Sequence, residues 1–383
     1  MIWPLRKSGV KQASRAAPAA DATSGPVQRA DATPLFLLTG FLGAGKTTLL
    51  NRILADPRFA DSAVIINEFG AVPVDHDLVR HGAQRVTITA SGCLCCTVQG
   101  DLRGALFALQ EERAKGSGAA FSRVIVETTG LADPAPVVAG LIPGTLPAFG
   151  LRDHVVARRF RLARVIAAFD LEHGAGPLEN HFECWKQLAF ADEIVLTKGG
   201  RAAADPWLAE LAALNPAAGL HVAAEADFDL AALLRDGAYQ AASKPEDVAG
   251  WLALEARATG EGGALSASHA APSSPSLPGD RHGGIVSLSL THDGPLDRNG
   301  FSAFLHVLAT GQRGEMALLR AKGIVAYSDA PDRPEVVHMV GQKLCPALPL
   351  DRWPSADRRS RLVLIGRALR EEPLRKLFAV TRR

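Results

Sequence analysis

The chain has 383 residues, with 42 Lys and Arg against 40 Asp and Glu; 47% of its residues are hydrophobic and 21% are charged. This apolar content excludes a mainly disordered protein and is enough for about two domains. The net charge of +2 excludes a general field attracting nucleic acid or a membrane surface. No apolar run is long enough for a membrane-spanning helix, and residues 1–33 lack the apolar centre of a secretory signal. Five Cys occur, three of them within four positions. That is not a disulfide framework, and it points to a reducing, cytoplasmic setting and to metal or redox chemistry.

Residues 1–33 carry Arg6, Lys7, Lys11, Arg15 and Arg29 against Asp21 and Asp31. They read as a disordered tail, and an organelle transit peptide is the other reading of that composition. Order begins at Pro34. Residues 35–38 form a buried strand, 46–54 a helix, and 64–66 and 85–89 further strands. Residues 102–115 form a helix with Leu102, Leu106 and Leu109 on one face. Strands at 123–126, 162–169 and 193–196 follow, with helices between them. A helix at 208–214 closes on Asn215-Pro216, and a short strand at 221–223 and a helix at 230–234 complete this part. Strands alternating with helices predict an α/β domain over 34–240, built on a mostly parallel sheet whose ligands lie beyond the C-terminal strand ends.

Residues 241–284 read as a linker, rich in Gly, Ser, Pro and Ala from 260 onward. A second domain spans 285–383. Strands are predicted at 285–290, 318–327, 335–340 and 362–366, and helices at 296–308 and 369–378. This pattern fits a small α+β unit with an antiparallel sheet and helices on one face.

Gly40-Phe41-Leu42-Gly43-Ala44-Gly45-Lys46-Thr47 fits the phosphate-loop pattern, between an apolar strand and a helix. Its glycines let backbone N–H groups face an anion, and the helix N-terminus adds a favourable dipole. Gly40, Gly43, Ala44, Gly45, Lys46, Thr47 and Thr48 are the candidate phosphate-binding set. Lys46 would reach the β- and γ-phosphates, and Thr47 would offer its hydroxyl to Mg²⁺. The motif implies a nucleoside triphosphate but not which reaction follows.

Cys93-Leu94-Cys95-Cys96 follows the third strand. Three thiolates can supply most of a tetrahedral Zn²⁺ shell, with water, Glu68 or a donor from the cargo completing it. A vicinal redox pair and buried structural cysteines are the other readings. Glu127-Thr128-Thr129-Gly130 ends a strand in a carboxylate and a glycine. Glu127 is placed to hold Mg²⁺ through water or orient a water molecule, and the Gly130 N–H to meet a γ-phosphate. Thr197-Lys198-Gly199-Gly200 occupies the place of a base-recognition loop, with Gly200 where guanine-binding proteins carry Asp. That loss predicts weakened selectivity for GTP over ATP unless another group, such as Asp205 or a backbone carbonyl, takes over.

These stretches together resemble the CobW-type metallochaperones of the SIMIBI class of P-loop GTPases. The resemblance is carried by 40–48, by Asn67-Glu68-Phe69-Gly70 with Asp75, by the cysteine run, and by Glu127 through Pro134. It continues through 187–198 and Leu214-Asn215-Pro216. In the second domain it rests on Leu319-Arg320-Ala321-Lys322-Gly323, Trp353 and Arg361 through Gly366. It implies a GTPase with Mg²⁺ that couples nucleotide hydrolysis to holding Zn²⁺, or Co²⁺, and passing it to a client metalloprotein. Lys46, Thr47, Glu127 and Gly130 would carry catalysis, Thr197 and Lys198 base contacts, and Cys93, Cys95, Cys96 and Glu68 the transition metal. A homodimer is compatible; nucleic-acid and membrane partners are not expected. Ala71 stands where many relatives carry Glu, and the linker has only His269 and His282 where several relatives have a histidine tract. Both departures favour delivery from one main site over storage. A metal-sensing nucleotide-binding scaffold without turnover and a P-loop phosphotransferase or ATPase are the competing functions.

Overall fold

The computed structural model describes residues 32–69, 85–91, 97–116, 120–141, 150–235, 285–311, 316–345, 347–354 and 357–382. The first domain is built on seven strands, β1 (Thr33–Gly40), β2 (Ser62–Phe69), β3 (Arg85–Ser91), β4 (Arg123–Thr128), β5 (Phe160–Asp170), β6 (Glu193–Thr197) and β7 (Gly219–Val222). They lie in the order β3-β2-β4-β1-β5-β6-β7, and every pairing is parallel. The central strands are apolar on both faces, which is what a sheet covered on both sides requires. In β1, Leu35 and Leu37 enter one core and Phe36 and Leu38 the other.

On the Phe36 face lies α1 (Lys46–Ala55), which buries Leu49, Leu50, Ile53 and Leu54, with α8 (Leu230–Leu233) beside it. The Leu35 face carries α2 (Thr97–Ala114), α3 (Pro134–Leu141) and α4 (Gly150–Arg159). The short α5 (Ala175–Asn180), α6 (Phe182–Phe190) and α7 (Arg201–Leu214) pack around β5 and β6. Helix α7 starts seven residues before the predicted 208 and runs through Pro206. A proline inside a helix removes an intrahelical hydrogen bond, but Ala204, Leu211 and Leu214 keep one buried face on both sides of it. Among the described residues no helix is long and apolar enough to cross a membrane.

The second domain comprises β8 (Ile285–His292), α9 (Arg298–Thr310), β9 (Ala317–Tyr327), β10 (Ala330–Val340), β11 (Lys343–Leu344), β12 (Leu348–Pro349), β13 (Ser360–Arg367) and α10 (Glu371–Ala379). The antiparallel sheet runs β11-β10-β9-β13-β8, with β12 also on β10. Helix α9 begins two residues later than predicted, because the Asp297 carboxylate caps it by accepting from Gly300 N–H at 2.6 Å. One sheet face holds α9 and α10 through Phe301, Phe304, Leu374 and Phe378. The other face, through Leu319, Ile324, Ala326 and Val363, shares a core with Val138, Leu141, Ala189 and Phe190 of the first domain. The two domains are therefore joined by a continuous apolar contact.

A buried ionic cluster pins this contact. Arg320 of β9, 2% exposed, donates from Nη1 to the carbonyls of Phe190 (2.8 Å) and Ala191 (3.0 Å) and from Nη2 to Asp192 Oδ1 at 2.5 Å. The guanidinium thus caps the negative end of α6. Asp192 Oδ2 accepts from Val165 N–H at 2.9 Å, and Lys322 Nζ stands 3.9 Å from Oδ1. Burial alone would raise the Asp192 pKa, but the charges of Arg320 and Lys322 and these hydrogen bonds outweigh it and hold it at about 2.

Removing one partner leaves an uncompensated buried charge, a loss of about 3–5 kcal/mol. Arg320→Ala is expected to lower the urea-unfolding midpoint strongly; a wild-type midpoint would contradict the role given to this cluster. A depressed carboxylate pKa stabilises the fold above the unfolded value near 3.9. That stabilisation drains as pH falls toward about 2. Asp192→Asn should flatten the acid dependence over that window.

Candidate functional site

The C-terminal ends of β1, β4, β5 and β6 converge on one rim of the parallel sheet, and the turn after β1 shapes it. Gly40 has φ +137°, and a Cβ there would lie 2.5 Å from the Ala168 carbonyl oxygen of neighbouring β5. Only glycine lets the chain leave the sheet so close to that strand. Gly43 (φ +73°) and Gly45 (φ +87°) also take left-handed conformations, and Ala44 N–H closes a turn onto the Phe41 carbonyl at 3.1 Å. The helix α1 begins immediately after, at Lys46. Lys46 is buried, and its ammonium donates to the Phe41 carbonyl at 3.1 Å, held across the loop it would serve.

Adjacent to this loop, Thr47 Oγ1 donates to Glu127 Oε1 at 2.7 Å. Glu127 ends the apolar run of β4 and is only 4% exposed. A hydroxyl and a carboxylate together, next to a phosphate-binding turn, are the hard oxygen donors Mg²⁺ prefers, so these residues fit that ion. Thr48 is exposed on the first turn of α1. Thr128 Oγ1 bonds to Thr39 Oγ1 at 3.1 Å, tying β4 to β1. The loop beyond β4 abuts the phosphate loop, since a Cβ on Gly130 would lie 2.5 Å from Leu42 N. Gln187 of α6 holds that loop by donating to the carbonyls of Gly130 (3.0 Å) and Ala132 (3.1 Å). Lys186 pairs with Asp133 at 2.7 Å.

The loop after β6 reaches the same place. Thr197 Oγ1 bonds to the Ala44 carbonyl at 2.8 Å, joining the loop after β6 to the phosphate loop. Lys198 takes a left-handed φ of +57°, and its ammonium meets Asp170 Oδ2 at 2.8 Å. Burial pushes the Asp170 pKa up, but Lys198 and the N–H groups of His173 and Glu172 outweigh it, so this carboxylate lies below its ordinary range. Asp170, Glu172 and His173 offer ligand atoms within 4.8 Å of one another. The Lys198 ammonium on Asp170 opposes a cation there.

Lys46, Thr47, Glu127, Gly130, Thr197 and the glycines thus come together as one site. Cys93, Cys95, Cys96 and Asp75 lie outside the described residues. Glu68 is on β2, opposite Ala90 of β3, and in the sequence the cysteine run comes after Ser91, the last residue of β3. Sequence reasoning gave Asp170 and Gln187 no role. Asp170 had the same signal as Glu127, an acid ending an apolar strand, whereas Gln187 acts through the tertiary placement of α6, which no local pattern records.

The nucleotide-binding domain model of the CobW/HypB/UreG family matches residues 34–218, and that of the cobalamin synthesis protein CobW C-terminal domain matches residues 285–382. The chain is 30% identical over 349 residues to the zinc chaperone YjiA of Escherichia coli, covering 91% of this chain and 98% of that one. It is 37% identical over 122 residues to the zinc chaperone CobW of Pseudomonas aeruginosa, 30% of this chain and 31% of that one. The crystal structure of zinc-bound YjiA GTPase from E. coli superposes with a TM-score of 0.64 at 26% identity, covering 92% of this chain and 99% of the other. The chain belongs to the CobW/HypB/UreG family of P-loop metal-chaperone GTPases, with the CobW-type C-terminal domain.

Lys46→Ala should weaken triphosphate binding by about 10- to 100-fold, the worth of a charge-assisted contact, without unfolding the chain. Nucleotide titration beside a thermal melt checks this; unchanged affinity would contradict the assignment of the loop.

Proposed function

We propose that this protein hydrolyses GTP and couples the nucleotide state to holding Zn²⁺, with Co²⁺ as the other candidate, for transfer to a client metalloprotein. The phosphates would lie on the N–H groups of residues 43–48, with Lys46 leaving the Phe41 carbonyl for the β- and γ-phosphates. Thr47 and Glu127 would hold Mg²⁺, which supplies charge neutralisation at the β- and γ-oxygens. Cys93, Cys95 and Cys96, with Glu68, would hold the cargo metal as thiolate and carboxylate donors. Similarity to the zinc chaperones YjiA and CobW supports zinc as the cargo.

The observation that carries the coupling is the packing of the Gly130 loop directly on Leu42 of the phosphate loop. A γ-phosphate entering there would meet Gly130 N–H and order the loop. β4, which leads into that loop, pairs with β2, and β2 pairs with β3, from whose end the cysteine run departs. Ordering at one position would thereby preorganise the other, with metal binding favouring the triphosphate state in return. Thiolates must be deprotonated to bind. Burial pushes the thiols of Cys184 and Cys345 up to about 12, which disfavours the thiolate form at both.

Competition with a chelator measures the Zn²⁺ affinity in the presence of a non-hydrolysable GTP analogue and of GDP. The expected result is metal held roughly tenfold to a hundredfold tighter with the analogue, a coupling of about 1.4–3 kcal/mol. Cys95→Ser and Cys96→Ser should weaken binding, and Cys345→Ser should not. Equal affinities in the two nucleotide states would leave a static metal site and overturn the coupling.

A further inference from the structure

Guanine recognition in a loop of this kind uses a carboxylate, and this chain has Gly200 at that position. Gly200 is the N-cap of α7, with φ −93° and ψ −171° and no side-chain cap, and nothing lies within 4 Å of where its Cβ would be. Asp205, the next acidic residue along the chain, is on the exposed surface of α7 and is taken by the Arg201 guanidinium at 2.9 Å. It does not fill the gap.

A carboxylate arrives instead from the loop after β7. Ala223 N–H bonds to the Leu196 carbonyl at 2.8 Å, drawing that loop against the end of β6, and Glu225 N–H turns back onto the Val222 carbonyl at 3.1 Å. The half-buried Glu225 then accepts from Arg201 N–H through Oε1 at 3.1 Å. Its carboxylate therefore sits at the start of α7, on the N–H of the residue next to Gly200 and more than 4 Å from where a Gly200 Cβ would be.

We propose that Glu225 is the base-specificity residue of this chain, supplying from the neighbouring loop the acceptor pair that Gly200 lacks. The proposal rests on the nucleotide-site reading above. Guanine presents two adjacent donors, N1–H and the 2-amino group, which suit the two oxygens of a carboxylate. Adenine turns the unprotonated N1 to the same place, an acceptor against an acceptor, and leaves the carboxylate unpaired. The Arg201 N–H uses one of the roughly four acceptor positions of the carboxylate and orients the rest. The weakened GTP selectivity expected from Gly200 alone is thereby reversed.

Competition binding with GTP, ATP and xanthosine triphosphate tests this on the full chain. The wild type should prefer GTP to ATP by at least about tenfold, on the scale of one charge-assisted hydrogen bond. Glu225→Gln should weaken GTP by about 10- to 100-fold. It should also gain affinity for the xanthine nucleotide, whose 2-carbonyl accepts from the new amide, while ATP binding stays unchanged. Gly200→Asp in the Glu225→Ala background should restore the GTP preference, a gain that a role confined to capping α7 would not produce. Equal binding of GTP and ATP by the wild type, or a Gln variant that keeps GTP preference with no xanthine gain, would overturn the proposal and leave the nucleotide site standing. Failure of the wild type to bind any triphosphate would overturn the site reading and this proposal with it.

Discussion

Helix α6 is held at two places along its length, and the relation between the nucleotide rim and the second domain depends on it. Near its middle, Gln187 grips the carbonyls of Gly130 and Ala132, and at its C-terminus Arg320 grips those of Phe190 and Ala191 together with the Asp192 carboxylate. Backbone carbonyls at a helix end carry partial negative charge and lack intrahelical partners, so a buried guanidinium satisfies several acceptors at once. Asp192 also receives Val165 N–H from β5, which fixes the cluster to the sheet itself. A displacement of the Gly130 loop bears directly on a helix whose C-terminal end is bonded to the second domain.

The rim is made by close approach. Gly40 lies against β5, Gly130 against Leu42, and Gly45 within 3.5 Å, at its Cβ position, of Thr197. Side chains at the first two of these places would separate the loops from one another. The hydrogen bond from Thr197 to Ala44 and the ion pair of Lys198 with Asp170 then fasten the loop after β6 to the phosphate loop. The loops after β1, β4 and β6 thus form one assembly.

Much of this was legible in the residues. Apolar runs such as 35–38 and 123–126 mark strands buried on both faces, and the glycine spacing from Gly40 to Gly45 has few structural solutions between a strand and a helix. Glu127 stood out in the sequence as a carboxylate ending an apolar strand downstream of a phosphate loop, and its hydrogen bond from Thr47 lies in the fold alone. Boundaries were less legible where a local signal competed with burial, as at Pro206 in α7. Contacts between segments distant in the chain were hidden. Arg320 and Lys322 stood out as part of a motif, but their partner Asp192 is 128 positions from Arg320, and the approach of Glu225 to Arg201 depends on the pairing of β6 with β7.

Hydrogen exchange of the Gly130–Ala132 segment and α6, with GDP and with a non-hydrolysable GTP analogue, each with and without Zn²⁺, tests the coupling most directly. Slower exchange with the triphosphate analogue, slowed further when Zn²⁺ is bound, is the result the account predicts. Identical exchange in all four conditions would contradict it.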